Sequence, residues 1–205
     1  DAIRSDLHEW VRRVAAEGDD WEPEYFEYAF GLAGRGHGPD TRDPRSRPDP
    51  VKVDGRFLLR GSVDLIERKR GTRERRVTDH KTGKNRSSQG MVVSGGRVLQ
   101  PVLYGLAVEE ALGDPVLAGR LFYCTAAGDF FPFDIELTAD HRRAGIEVLE
   151  IIDRAIETGF LPAAPNEGAC NWCDFHAVCG PYEELRTARK QQAKLGDLLY
   201  LRERP

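Results

Sequence analysis

The sequence of 205 residues lacks the features of several special protein classes. It has no run of about 18 apolar residues, which excludes a membrane-spanning helix. No basic-then-apolar segment opens the chain, so no secretory signal is visible. Cysteine is scarce, and three of the four cysteines lie between Cys170 and Cys179. Clustered thiols without a secretory signal favour metal or cluster ligands over disulfides, and we expect a cytoplasmic protein.

Charge is distributed unevenly along the chain. The net charge is −4, but residues 56–86 carry 11 Lys or Arg against 4 Asp or Glu, a local charge of +7 that leaves −11 for the remainder. A basic block around a few acids suits a groove that binds phosphate groups. The same block also fits an Arg-rich hairpin tip exposed to solvent, and charge alone does not decide between the two.

The hydrophobic pattern predicts an α/β fold. Helical spacing of apolar residues predicts helices over residues 7–16, 96–112, 138–156 and 182–202. Alternating patterns predict strands over residues 25–31, 57–67, 75–81, 116–125 and 130–137. Gly, Pro and charged residues predict a long, flexible loop over residues 34–50. This order predicts a mixed central sheet flanked by helices, with a cysteine-cluster extension at the C-terminus.

Two aspartates and a lysine stand on neighbouring strands of the predicted hairpin. Asp79 and Lys81 are two positions apart in one strand and therefore point to the same face. Hairpin pairing brings Asp64 beside Asp79, where two carboxylates repel unless a cation lies between them. Mg²⁺ is usually held by one or two carboxylates together with phosphate oxygens. Lys81 then lies beside a metal-bound water that attacks the phosphate.

A competing interpretation is that these three side chains are edge charges on a solvated face. The flanking sequence favours a site, because apolar residues surround the acids on both strands. The apolar neighbours are Val63, Leu65, Ile66 and Val77. Gly61 also permits close backbone approach beside Asp64.

A third motif opens the helix that follows the hairpin. Gln100 and Tyr104 are four positions apart and share a helix face. They are positioned to hydrogen-bond a substrate phosphate or to lock the site. The alternative is a capping glutamine and a tyrosine at the edge of the core.

The ordered set G-x-x-D, D-x-K-T-G and Q-x-x-x-Y resembles the PD-(D/E)XK nuclease superfamily, and most closely its RecB/AddB-like branch. The resemblance covers roughly residues 21–182. It implies a restriction-endonuclease-like core that uses Mg²⁺ or Mn²⁺. By this resemblance Asp64, Asp79 and the backbone carbonyl of His80 are metal ligands. Strand alternation should turn the His80 ring to the opposite face.

The same resemblance implies roles for the remaining motif residues. Lys81 is the expected catalytic lysine, and Gln100 and Tyr104 match the helix motif of the branch. The substrate is expected to be DNA, with single strands supplied by a fused or separate helicase during recombination or repair.

The cysteine cluster reads C-x2-C for Cys170 and Cys173, followed by Cys179. It resembles the C-terminal iron–sulfur motif of AddB-like nucleases, in which a fourth cysteine far upstream completes a [4Fe–4S] cluster. That cluster would have a structural role, because it would link the end of the chain to its beginning. Zinc is the alternative, with His176 as a possible fourth ligand, and free thiols are a third possibility.

The chain departs from the branch at two positions. No cysteine precedes the first helix, and Cys124 in a strand is expected to be an ordinary buried residue. The branch carries a histidine in an early helix, and His8 is the only nearby candidate for it. Because the chain begins with Asp1 rather than Met, we expect both missing ligands upstream. Glu27 matches an acidic position on the first strand, as a site residue or a strand-edge acid.

The sequence analysis therefore predicts a metal-dependent DNA nuclease, with residues 1–160 as the nuclease core and residues 161–205 as the cysteine segment and a final helix. A catalytically inactive DNA-binding or scaffold module of a helicase–nuclease complex is the first alternative. A zinc-ribbon interaction protein is the second.

Overall fold

A computed structural model describes residues 2–16, 20–32 and 42–205. Six α-helices lie in this part of the chain: α1 Ala2–Ala16, α2 Gln100–Leu112, α3 Ala139–Glu157, α4 His176–Cys179, α5 Glu183–Thr187 and α6 Gly196–Arg202. The strands are β1 Trp21–Phe30, β2 Val51–Val53, β3 Phe57–Leu59, β4 Gly61–Lys69, β5 Arg75–Lys81, β6 Val116–Tyr123 and β7 Pro132–Glu136. In this part of the chain no helix is long and apolar enough to span a membrane.

The central layer is a five-stranded mixed sheet in the order β1–β4–β5–β6–β7. Only β5 and β6 pair in parallel, and α2 forms the crossover between them. The other neighbours are antiparallel. The predicted mixed sheet flanked by helices is therefore confirmed, including the hairpin that carries the two aspartates.

The first strand of the predicted hairpin is interrupted. The run predicted over residues 57–67 forms β3 and β4, and β3 pairs with β2 in a separate two-stranded sheet. Three-residue strands are too short for an alternating pattern to reveal them. Most of the predicted 34–50 loop lies outside the described residues, although Arg47 forms an isolated bridge with Phe30.

The helix predicted over residues 96–112 begins later, at Gln100. Gly95 and Gly96 instead form a short 3₁₀ turn with positive φ angles, and Pro101 occupies the first turn of α2. Proline suits this place because its missing N–H would have no helical partner there. The predicted start of α3 is confirmed by Thr138, whose hydroxyl accepts the His141 N–H at 3.2 Å.

The predicted continuous helix over residues 182–202 is wrong. The chain forms α5, a 3₁₀ turn over Gln192–Leu195, and α6. The bend buries Leu195 and returns the chain end to the core, where the N–H groups of Val93 and Ser94 donate to the Pro205 carbonyl. Helix propensity is a weak preference, and these tertiary contacts override it.

Helix α2 packs tightly on the sheet because Gly119 of β6 has no side chain. A Cβ atom at Gly119 would lie 2.2 Å from the Pro101 carbonyl oxygen, which is backbone and has no room to move. This close approach places the first turn of α2 over the middle of β6, beside β5.

We expect Gly119→Ala to destabilise the protein by about 1–3 kcal/mol, because the added methyl overpacks the helix–sheet contact. Chemical denaturation followed by circular dichroism measures the change. The matched control is Gly83→Ala, since a Cβ there meets nothing within 4 Å. Equal stability of the two variants would show that α2 does not depend on this contact.

Candidate active site

The candidate site lies where the β4–β5 ladder ends. The last paired residues are Leu65 and Thr78. One step further along the same register come Asp64 and Asp79, which are no longer joined by the ladder. At this point the Asp64 carboxylate, rather than a backbone carbonyl of β4, accepts the His80 N–H.

The Asp79 side chain is almost fully buried, with 7% of its surface exposed. Lys81 Nζ lies 2.5 Å from Asp79 Oδ2 and forms an ion pair with it. Within the described residues Oδ2 has no other polar partner, so the lysine ammonium is the group that this oxygen contacts. Burial raises the pKa of Asp79 above its ordinary value, and the nearby Asp64 adds to the rise, against the opposing effect of Lys81.

Asp64 is in a different environment. Its side chain is 32% exposed, its Oδ2 accepts the His80 backbone N–H at 2.7 Å, and His80 Nδ1 is 3.7 Å away. Burial alone would raise the pKa of Asp64, but the contacts with His80 outweigh it and hold the pKa below its ordinary value. The two neighbouring carboxyls therefore differ in protonation tendency, as expected of a functional site.

Lys81 of β5 contacts the helix motif through Gln100. Its Nζ donates to Gln100 Oε1 at 2.7 Å while it pairs with Asp79. Gln100 reaches this position because α2 begins directly above β5 and β6. Tyr104 takes a different place, where its ring packs edge-on against Phe30. The structure thus brings Gln100 to the lysine and places the Tyr104 ring against Phe30, and the site role of Tyr104 stays a prediction.

The His80 ring projects from the opposite face of the sheet, as the alternation predicts. It contacts Trp10 at a centroid distance of 5.2 Å and Phe122 at 6.2 Å. Only the backbone of His80 and the Nδ1 edge of its ring approach Asp64.

Helix α1 approaches the site end of the sheet through Asp6, which the sequence analysis missed. Asp6 Oδ1 accepts the Ala126 N–H at 3.2 Å, in the turn that follows β6. His8 is exposed on the same helix. The spacing of residues on α1 could have indicated Asp6, because Asp6 and Trp10 are four positions apart and share the inward face of the helix.

Glu27 and Cys124 flank the site. Glu27 lies between two paired residues of the β1–β4 ladder in the register position opposite Asp64, has φ of 51°, and accepts a 3.5 Å hydrogen bond from Ser62. The Cys124 backbone N–H donates to the Lys81 carbonyl at 3.0 Å, and its thiol lies 3.5 Å from the same oxygen. Burial raises the pKa of this thiol, which makes it a poor nucleophile.

The donor set fits a hard divalent cation. Asp79 Oδ2 is a buried carboxylate oxygen in contact with the Lys81 ammonium, and Asp64 adds a second carboxylate nearby. Mg²⁺ needs few protein ligands because it retains several waters. Across residues 2–16, 20–32 and 42–205, no three His, Cys, Asp or Glu side chains are arranged as a metal site, so backbone carbonyl and water ligands would have to complete the shell.

The cysteine segment does not form a ligand set. Cys170 and Cys179 are half-buried and Cys173 is exposed, all as free thiols. The Phe175 N–H donates to Cys173 Sγ at 3.4 Å, a bond that also supports thiolate ligands. The described residues nevertheless gather no three such side chains, with or without His176. As arranged, these thiols do not fit a complete cluster.

Comparisons with known proteins show which family the chain belongs to. A family model described as the PD-(D/E)XK nuclease superfamily matches residues 1–180. No curated protein matches the chain. A solved structure described as "Crystal structure of SSO0001" shares 16% identity and a TM-score of 0.40, over 85% of this chain and 67% of that one.

The family match spans most of the chain and includes the hairpin and the first turn of α2. Members of this superfamily are generally metal-dependent nucleases that act on DNA. The chain belongs to the PD-(D/E)XK nuclease superfamily.

Proposed function

We propose that this chain is a divalent-metal-dependent deoxyribonuclease whose active site is formed by Asp64, Asp79 and Lys81. One observation carries the proposal: the buried Asp79 carboxylate lies next to a second carboxylate, Asp64, and in contact with Lys81. A protein that only packed these residues would gain nothing from keeping a second acid beside the buried Asp79 carboxylate.

The proposed ligands of Mg²⁺ or Mn²⁺ are Asp64, Asp79 and the His80 carbonyl, and the bound cation would lower the pKa of a water and neutralise the phosphate. Lys81 would orient the attacking water or stabilise the negative charge that develops on the phosphate. Gln100 holds the lysine ammonium at 2.7 Å and so restricts where it points. The ion pair with Asp79 also restricts the position of the lysine ammonium.

The basic block contributes less to DNA binding than its charge suggests. Arg76 is 3% exposed and pairs with Glu67 at 2.7 Å, and Arg75 is 8% exposed and pairs with Glu24 at 2.9 Å. Both are structural ion pairs. Lys84 and Arg86 come three and five residues after Lys81 and are exposed, so we assign them the phosphate contacts nearest the site.

The finer assignment is an exonuclease of the RecB/AddB-like branch that degrades single strands together with a helicase. The motif order, with Gln100 contacting Lys81, supports this branch. Residues 1–160 would form the catalytic core and residues 161–205 the cysteine segment. The inactive DNA-binding module is the alternative, and metal-dependent cleavage distinguishes the two.

Replacing Lys81 with Ala should reduce DNA cleavage at least a hundredfold, because charge stabilisation and proton transfer at the site are lost. Gln100→Ala should have a smaller effect, about tenfold, since the lysine remains but is less restricted. Cleavage of labelled single-stranded and duplex DNA with Mn²⁺ measures both variants.

Lys52→Ala, on an exposed position of β2, is the matched charge control and should cleave as the wild type does. If the wild type binds DNA in a salt-dependent manner but does not cut it, the enzyme assignment fails and the binding module is favoured. Preferential degradation from ends would support the exonuclease assignment.

Removing the charge of Asp79 should stabilise the metal-free protein at neutral pH. Because burial raises the pKa of Asp79, the ionised carboxylate destabilises the fold as pH rises through that raised value. The effect is absent below the ordinary pKa of 3.8, where folded and unfolded forms are both protonated. Asp79→Asn should therefore have a higher melting temperature than wild type at pH 7 in EDTA, and the two should have the same melting temperature at pH 3.

Mg²⁺ should reverse this order, because it stabilises the wild type and not Asp79→Asn. Asp153→Asn, an exposed change on α3, controls for loss of charge. Lower melting of Asp79→Asn than of wild type at pH 7 in EDTA would argue against a costly buried carboxylate.

We also propose that Cys170, Cys173 and Cys179 bind an iron–sulfur cluster completed by a further ligand. The C-x2-C spacing and the N–H to Cys173 Sγ bond support this proposal. Anaerobically purified protein should contain iron and sulfide, and Cys173→Ser should lower its melting temperature by several degrees. Zinc without iron, or a metal-free protein with unchanged melting, would refute the cluster.

A further inference from the structure

A groove of about 850 Å³ lies between the second half of α3 and the end of the chain. One wall is α3 with the loop that follows it, and the other is the 3₁₀ turn over Gln192–Leu195 with α6. The family match ends at residue 180, so the second wall comes from residues beyond it. The lining shares no residue with the candidate active site.

The groove is mainly apolar, and much of its apolar surface faces solvent. Ile151 and Leu195 border it and are buried. Ile152 and Ile156 are one helical turn apart on α3 and are exposed, as is Leu161 in the loop that follows. Adjoining exposed side chains of this kind mark a binding surface more often than single ones do.

Polar contacts link the two walls. Arg154 Nε donates to Asp197 Oδ2 at 3.0 Å, and both residues border the groove. Two turns earlier on α3, Glu147 Oε2 accepts a hydrogen bond from the Tyr200 hydroxyl at 3.1 Å. Because α6 is attached to α3 in this way, the groove is formed without an occupant, which lowers the conformational cost of binding.

The groove has an excess of positive charge at one end. A hollow of about 340 Å³ continues it past Lys194 and is bordered by Arg189 and Lys190. Lys190 is paired with Glu183. Lys194 and Arg189 are exposed, and no acidic side chain of the described residues forms an ion pair with either. The exposed acids on this part of α3 do not border the groove: Asp153 and Glu157.

This charge disfavours a second copy of the chain as the occupant. A symmetric dimer formed groove to groove would bring the cations of one copy against those of the other. A helix with an apolar face and acidic residues beside it has the complementary pattern, since its apolar side chains cover the groove while its carboxylates meet the cationic end.

We propose that the groove binds an acidic amphipathic helix of a partner protein. The apolar face of that helix covers Ile152, Ile156 and Leu161. Its carboxylates pair with Lys194 and Arg189. The proposal goes beyond the nuclease activity, because it assigns a protein-binding surface to the part of the chain that follows the family match.

A displayed library of helical peptides tests the proposal in EDTA, so that the result does not depend on nuclease activity. The library has leucine at positions i, i+3, i+4 and i+7 and varies the other positions. Selection on the full chain should enrich Asp and Glu over Lys and Arg, and the selected peptides should compete for one site. Enrichment of basic residues, or selection of no peptide, would overturn the proposal.

Ile156→Glu should weaken binding of the selected peptides at least tenfold, because the peptide would bury an unpaired carboxylate. Leu58→Glu on β3 is the matched control, since Leu58 is 63% exposed against 64% for Ile156 and does not border the groove. Lys194→Glu should weaken binding about fivefold, with Lys52→Glu as its control. Melting curves establish that each variant is folded. Equal binding to Ile156→Glu and to wild type would place the peptides elsewhere and overturn the assignment.

Two other occupants give different results. If the groove pairs two copies of this chain, sedimentation velocity shows a wild-type dimer that Ile156→Glu converts to a monomer. If it holds an acyl chain, labelled palmitate binds saturably and displaces the selected peptides. Either result would overturn the assignment to a partner helix. A monomeric wild type that binds the selected peptides and not palmitate would support it.

Discussion

The Asp79 carboxylate is the group on which the arrangement of the site depends. It is buried, its pKa is raised by that burial, and Lys81 contacts one of its oxygens. A second acid, Asp64, lies close enough to raise that pKa further. Two neighbouring carboxylates repel each other unless a cation lies between them, and this repulsion is the physical basis for assigning a metal site.

The rest of the fold positions these groups. The β4–β5 ladder ends one residue before the two acids, and the parallel pairing of β5 with β6 requires a crossover, which α2 supplies. Gly119 lets the start of that helix approach the sheet, so Gln100 reaches Lys81. His80 contacts both faces of the sheet: its backbone N–H donates to Asp64, while its ring packs against Trp10 on the other face.

Much of this was accessible from sequence because local patterns determine it. Alternation placed Asp79 and Lys81 on one face, and the hairpin brought Asp64 to them. The parts that failed depend on long-range contacts. The split of β3 from β4 requires the partner β2, the bend in the last helix requires the contacts of Pro205, and the role of Asp6 requires the position of α1 against Ala126. The metal-ligand roles themselves stay predictions.

The central claim is that Asp64 and Asp79 hold one divalent cation beside Lys81. An anomalous difference map from crystals grown with Mn²⁺ tests it most directly. The account predicts a single strong peak within about 2.3 Å of a carboxylate oxygen of each aspartate, on the same face as the lysine ammonium. No peak there, or manganese bound only at other surface carboxylates, would contradict it.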